Sequence, residues 1–337
     1  MASVTALQLI NRVMLFRRQP TIASYQSTNP EHVATLNAIN MAKEDILGTR
    51  RWEFDLRTDG QLVTKASASS LGVVPELTAT ASATTGSMTG LTDSTADTLG
   101  DFILRIVPIG DSDYSETALR VTSFQPIPST TGTATFAIAM PKSLAAVDCD
   151  LIYAEYLLPD TVREVVRVSH EQQEVRIEQV GATVEYPEIV PSVYGDTGEP
   201  RMIAIGGFDR ETYETSGTAP APKLRAVVWP VPDDEYILTY SYYYAHPDMA
   251  DGDDTLEGVP PAVVNDIVWQ ATSIMGMAWD GNYAAAHFGD MAQSQASVKN
   301  SAYGGSATRR HTVRSWDSGR GGNMVDEAWQ TKTIGGS

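Results

Sequence analysis

Cysteine is almost missing from this chain: Cys149 is the only one in 337 residues. A lone thiol closes no intrachain disulfide and cannot build a cysteine-rich zinc site. Long apolar runs are missing as well, none reaching the ~18 residues that a membrane-crossing helix needs. The first residues contain no short apolar core followed by a small-residue cleavage site, so no secretion signal is expected, and folding in a reducing compartment is. Histidine is sparse. His32, His170, His246, His287 and His311 are scattered and form no His-Glu-x-x-His pattern. There is no Gly-x-Ser-x-Gly elbow, no Gly-Lys-Ser/Thr phosphate loop and no Gly-x-Gly-x-x-Gly turn. Gly319-Arg320-Gly321-Gly322 follows no strand and reads as a flexible segment. The sequence therefore assigns no catalytic residue, no cofactor and no metal site.

What the chain does have is acid and enough apolar surface to fold. Hydrophobic residues make up 42% and charged residues 20%, which excludes wholesale disorder and suits one or two domains. Against 24 basic side chains stand 42 acidic ones, a net charge of −18. The excess is concentrated: Asp148 to Pro260 alone carries −16, whereas residues 1–57 and 301–337 are each +2. Such a surface repels phosphates, which argues against a protein that grips nucleic acid and allows one that nucleic acid slides past. The plainer reading of the same charge is that it keeps copies from precipitating.

Helical patterns occupy both ends. Thr5-Ala6-Leu7-Gln8 fits a capping box, followed by Leu7, Ile10, Val13 and Met14 on one face and closed by Arg17, Arg18 and Pro20. Asn29-Pro30-Glu31 starts a second helix with a stripe of Val33, Leu36, Ile39, Ala42, Ile46 and Leu47, and Gly48 is its expected end. Arg51 to Leu56 alternates and reads as a strand with Trp52, Phe54 and Leu56 on one face. Between Gly60 and Leu158 the composition turns to Thr, Ser, Ala and Gly. Short β-branched runs recur there, at Phe102–Val107, Ala118–Val121, Thr135–Ile138 and Leu151–Tyr156, as in a small sandwich or barrel. Val162–Val168 reads as a strand and Val175–Val180 as a short helix. A Pro- and Gly-rich loop spans Tyr186 to Pro200, and strands follow at Met202–Ile205, Lys223–Trp229 and Glu235–Tyr244. The last of these places Tyr236, Leu238, Tyr240, Tyr242 and Tyr244 on one face, a pattern that fits a packed sheet face better than a ligand platform. After Pro260-Pro261, Val264, Ile267, Val268, Ala271 and Met275 mark a helix. Beyond the break at Asp280-Gly281-Asn282 a second helix carries Ala284, Phe288, Met291, Gln295 and Val298, completing an antiparallel hairpin.

Asp248, Asp251, Asp253, Asp254 and Glu257 form the one dense carboxylate cluster. Such a loop could supply the oxygens that a hard cation wants, but it lacks regular calcium-loop spacing, and its place ahead of a helix N-terminus, where acids are favoured, accounts for it without a metal. From Tyr303 on, periodicity vanishes. Arg309, Arg310, Arg314, Trp316, Arg320 and Trp329 there combine guanidinium and aromatic groups, the residue types enriched at interface hot spots.

The order Leu158-Pro159-Asp160 through Val168, Gly198 to Ile205, Leu224 to Asp233, Tyr240 to Tyr244, then Val259-Pro260-Pro261 and a helical hairpin resembles a pattern of tailed-bacteriophage structural proteins. Leu36 to Phe54, a helix running into Arg-Trp-x-Phe, resembles the start of the head-to-tail adaptor (tail tubular A-like) family of short-tailed phages. The resemblance implies an α+β fold: a helical bundle from the N- and C-terminal helices, an antiparallel β region, an inserted small all-β domain and an extended C-terminal tail. The corresponding divisions are residues 1–59, 60–158, 159–302 and 303–337. It further implies a non-enzymatic ring of about twelve copies in the neck of the virion, assembled in the bacterial cytoplasm. DNA would pass through the ring without sequence-specific binding, and no membrane would be involved. One side would meet the portal protein, through the six tail residues above, and the other a downstream nozzle or stopper protein. Trp52, Phe54, Tyr240, Tyr242, Ile267 and Phe288 are the expected core and ring-packing residues. The other readings are a receptor- or glycan-binding module on the tail exterior, centred on the β-rich middle, and an acidic-groove glycan hydrolase.

Overall fold

In the computed structural model the described residues are 3–91, 102–111, 118–127, 131–171, 177–181, 196–208, 223–281 and 285–303. The expected bundle with a small β insert is not what forms. Among the described residues fourteen strands stand against four α-helices, and a closed six-stranded barrel is the main body. The helical stripes at the termini dominated the sequence pattern because they are long and strongly periodic. The strands are short and rich in small residues, so each contributes little signal on its own.

The barrel is built from β3 (Glu76–Ala79), β4 (Thr85–Thr89), β5 (Phe102–Pro108), β6 (Leu119–Ile127), β7 (Thr131–Phe136) and β8 (Leu144–Leu157). Its neighbours run β8-β3-β4-β7-β6-β5, and β5 pairs back onto β8 to close the ring. Alternation is clean where pairing is regular: every second residue of β3, β4 and β7 is buried. Leu77, Met88, Phe124, Phe136 and Leu151 join one apolar core. Gly132 is required by that core, because a Cβ there would lie 2.5 Å from the Phe124 ring.

β8 is long enough to serve two structures. Its first half pairs with β3, and its last residues pair with β12 (Leu224–Trp229), which leads to β11 (Met202–Phe208) and to β10 (Glu178–Gly181). Glu155, nearly buried on β8, ion-pairs with Arg105 of β5 and lies 3.4 Å from Arg225 of β12, so one carboxylate ties both neighbours to the shared strand. The segment expected as a helix at Val175–Val180 is corrected: Glu178–Gly181 is strand, paired in parallel with β11.

A separate three-stranded sheet has the order β2 (Leu56–Val63), β13 (Ile237–Tyr244), β9 (Val162–His170). Arg51 to Leu56 is not the expected strand. Glu53–Asp55 forms a 3-10 turn and β2 starts only at Leu56, which is exposed. Trp52 causes this: its indole N–H donates to the Ile46 carbonyl at 3.0 Å, which pulls the chain back onto the preceding helix before a strand can begin.

The helical side contains α1 (Ala6–Phe16), α2 (Pro30–Lys43), α3 (Pro261–Ala278) and α4 (Ala286–Tyr303). Thr5 and Gln8 form the full capping box, and Asn29 caps α2 by accepting from the Glu31 N–H. The strand pair β1 (Val4–Thr5) and β14 (Thr255–Leu256) stitches the start of α1 to the approach to α3. Two helix faces differ from expectation. In α1 the buried residues include Leu9, while Leu7 is only half-buried. In α4 the buried seam is Ala285, Gly289, Ala292 and Ala296, and Val298 is 68% exposed. Close approach to α3 explains the second: a Cβ on Gly289 would sit 2.8 Å from Ser273 Oγ, so the seam takes small residues where an apolar stripe suggests large ones. The helices are antiparallel, with Lys299 of α4 donating to Ala262 O and both oxygens of Asp266 at the start of α3.

Helices and sheet are locked by Arg163 of β9, which donates to Leu47 O (2.5 Å) and Arg50 O (2.7 Å), two carbonyls left over where α2 ends through the π-turn Glu44–Gly48. A buried pair, His246 Nε2 and Asp55 Oδ1 at 2.9 Å, adds a second tie.

Because β8 is common to the barrel and the outer sheet, removing one of its fully buried side chains should weaken both together. Leu151→Ala should cost about 2–5 kcal/mol. Urea unfolding followed by tryptophan fluorescence and far-UV circular dichroism should show one transition at a lower midpoint. Two separate transitions would contradict a common strand.

Candidate functional site

The residues expected to pack the core and the ring fall into three places. Trp52 is fully buried and stacks on Phe54 at 5.3 Å, and Ile267 lies fully buried in the same helical core. Tyr240 is buried over Gly60, where a Cβ would meet its ring at 2.4 Å. Tyr242 is half-buried with its ring 5.5 Å from that of Tyr240. Despite a register shift between Tyr240 and Tyr242, Tyr236, Leu238, Tyr240 and Tyr242 all pack against the same core, as expected of a packed sheet face. Phe288 stands apart, half-buried at the start of α4 and 6.3 Å from Phe16. Arg309, Arg310, Arg314, Trp316, Arg320 and Trp329 lie outside the described residues.

In the acidic loop before α3, Asp251 and Asp254 are engaged by the loop's own backbone and Asp248 by a lysine. Asp254 Oδ2 accepts from the N–H groups of Ala250 (2.6 Å) and Asp251 (2.8 Å), which holds its carboxyl below the usual range. Asp251 accepts from Gly252, and Asp248 pairs with Lys43 at 2.9 Å. Among the described residues no group of three or more His, Cys, Asp or Glu side chains converges as a metal site would require. An open cleft of about 490 Å³ between this loop and β2 is lined by Ser3, Phe54, Arg57, Glu257 and Gly258, with the Arg57 guanidinium 5.3 Å over the Tyr244 ring. The His246–Asp55 pair is nearly sealed, with side-chain exposures of 6% and 2%, and works as a structural tie. Cys149 is buried beside the Pro75 carbonyl. Burial, then the charges of Asp150 and Asp148, pushes its thiol up to about 12.

The feature that pattern reading missed is a corner where three helix ends meet. Arg17, at the end of α1, donates to both oxygens of Asp280, just past α3, at 2.9 and 2.7 Å, and lies 3.1 Å from Glu31 in the first turn of α2. The arginine holds the Asp280 carboxyl below its usual range. Around this pairing large apolar groups are exposed among the described residues: Leu15 is 66% exposed, Phe16 48%, Trp279 49% and Met277 38%. Arg12 and Arg18 are exposed beside them. The sequence signal was available, since Leu15 and Phe16 fall off the buried stripe of α1, and apolar residues gathered on a surface mark interaction sites.

No protein-family model matches the chain, and no characterised protein matches it in sequence. The functional reading therefore rests on the residues and their geometry.

Two outcomes follow. The folded thiol should stay unlabelled by iodoacetamide at about pH 8 and react at once after denaturation; rapid labelling of the native chain would contradict its burial. Asp280 has a folded value below its unfolded one of about 3.9. Its stabilisation is complete above that pH and is lost as pH falls through the folded value. Asp280→Asn should thus melt below the wild type near neutrality, with the gap closing in strong acid. A gap independent of pH would show that the pair is not what the asparagine removes.

Proposed function

We propose that the chain is a structural virion protein: a head-to-tail adaptor that assembles as a ring between the portal and the next tail component and encloses part of the DNA channel. The concentration of acid carries this reading. The stretch from Asp148 to Pro260 holds −16 of the −18 charges, and among its described residues the exposed acids gather in the turn Asp233–Glu235 and in the loop Asp248–Glu257 rather than on the strand between them. A net acidic surface repels a polyanion moving past it and disfavours its capture. The apolar corner of the helices, exposed among the described residues, supports the same reading, because a chain that works by assembly keeps a face for its neighbours. No helix among the described residues is long and apolar enough to cross a membrane.

In this reading the chain acts by position and not by turnover. The cleft at Arg57 and the buried His246–Asp55 pair have no assigned chemistry, and the tail beyond Tyr303 supplies the guanidinium and indole groups for the portal. Assembly takes place in the bacterial cytoplasm, and the finished ring sits in the neck of the particle.

Mixing the purified chain with the portal protein of the same phage should give a ring complex by native mass measurement, and removing residues 303–337 should lower its yield at least tenfold. A full-length chain that never joins the portal would overturn the proposal.

A further inference from the structure

The apolar corner has a counterpart elsewhere on the same chain. The turn before β13 exposes Asp233, Asp234 and Glu235 in succession. The backbone sets two apolar residues around it that are exposed among the described residues. Val63 ends β2 opposite Ile237 and is 54% exposed, and Leu71 is 55% exposed. Leu71 closes the turn that begins at Ser67, whose N–H donates to Pro232 O at 3.1 Å, while the Thr64 N–H donates to Tyr236 O at 2.9 Å. Lys65, a nearby cation, lies with its ammonium 5.1 and 4.9 Å over the rings of Phe102 and Tyr153 and also feels the charge of Glu235, so one cation stands against the three acids of the turn. One surface is thus apolar with a basic margin of Arg12 and Arg18, and the other is apolar with an acidic margin.

We infer that these two surfaces meet in a head-to-tail contact between copies of this chain, with Phe16 and Trp279 of one copy seated against Val63 and Leu71 of the next, and Arg12 and Arg18 facing Asp233 to Glu235. Charge complementarity selects this occupant. Two corners of the same kind would oppose arginine to arginine, and two acidic turns would oppose carboxylate to carboxylate, so the self-complementary dimer is disfavoured on both sides. Unlike surfaces on one chain leave each contact with one free end on either side, and such a chain closes into a ring when the rotation per copy permits. Tryptophan and arginine at the contact are the groups that contribute most to binding when water is excluded. The inference deepens the ring reading and rests on it.

The test uses the full chain and two surface variants, each at an exposed position that leaves the cores intact: Trp279→Asp on the corner and Leu71→Asp beside the turn. Sedimentation velocity of the wild type should show assemblies larger than a dimer that dissociate as salt is raised. Each variant alone should be monomeric. A one-to-one mixture should form dimers and nothing larger, because an intact turn on the first variant meets an intact corner on the second. If Trp279→Asp is monomeric while Leu71→Asp still self-associates, the contact is corner to corner and the inference falls while assembly stands. If both variants assemble like the wild type, the surfaces lie elsewhere. If the wild type stays monomeric at every concentration, the ring reading itself fails. Circular dichroism of both variants matching the wild type shows that folding is not the cause.

Discussion

The sharing of β8 is the constraint on which the rest depends. A strand has two edges, and β8 uses both along fourteen residues: β5 along one, then β3 and β12 in turn along the other. Closure of the barrel and growth of the outer sheet are consequences of the same backbone, and Glu155 holds the branch by pairing Arg105 and Arg225 from opposite sides. A nearly buried carboxylate needs at least one guanidinium beside it, since loss of both would leave its charge without compensation in a poorly solvated place. The geometry of the branch is therefore fixed by electrostatics as well as by the hydrogen-bond ladder.

Much of the local structure was legible in the chain. The caps at Thr5 and Asn29, the prolines before α3, and the strands at Phe102, Val162, Met202 and Leu224 follow from spacing and turn chemistry that act within a few residues. What pattern reading could not supply was their relative weight. Nothing in Thr78–Ser87 announces that two of its pieces belong to a closed barrel, because closure depends on pairings more than fifty residues apart, such as Glu76 with Asp148. The Arg51–Leu56 segment misled for a related reason: alternation of large side chains is shared by a strand and by a turn whose indole is held by a distant carbonyl.

The candidate surface was less legible than the fold. The six residues chosen from the sequence for core and ring packing are mostly core, since bulk and periodicity select for burial. The corner instead emerges where three helix ends are brought together by Arg17, a residue whose role follows from its partners Asp280 and Glu31 and not from its neighbours in sequence. The acid, by contrast, needed only counting, and it is what the proposed passage of a polyanion rests on.

One further consequence concerns the barrel itself. Six strands enclose a narrower space than the eight that just suffice to be filled by side chains, and here Leu77, Met88, Phe124, Phe136 and Leu151 join the core within it. It has no bore. Any conduit that this protein helps to form must be walled by several chains from outside their barrels, which makes the width of the passage a matter of how many subunits stand around it.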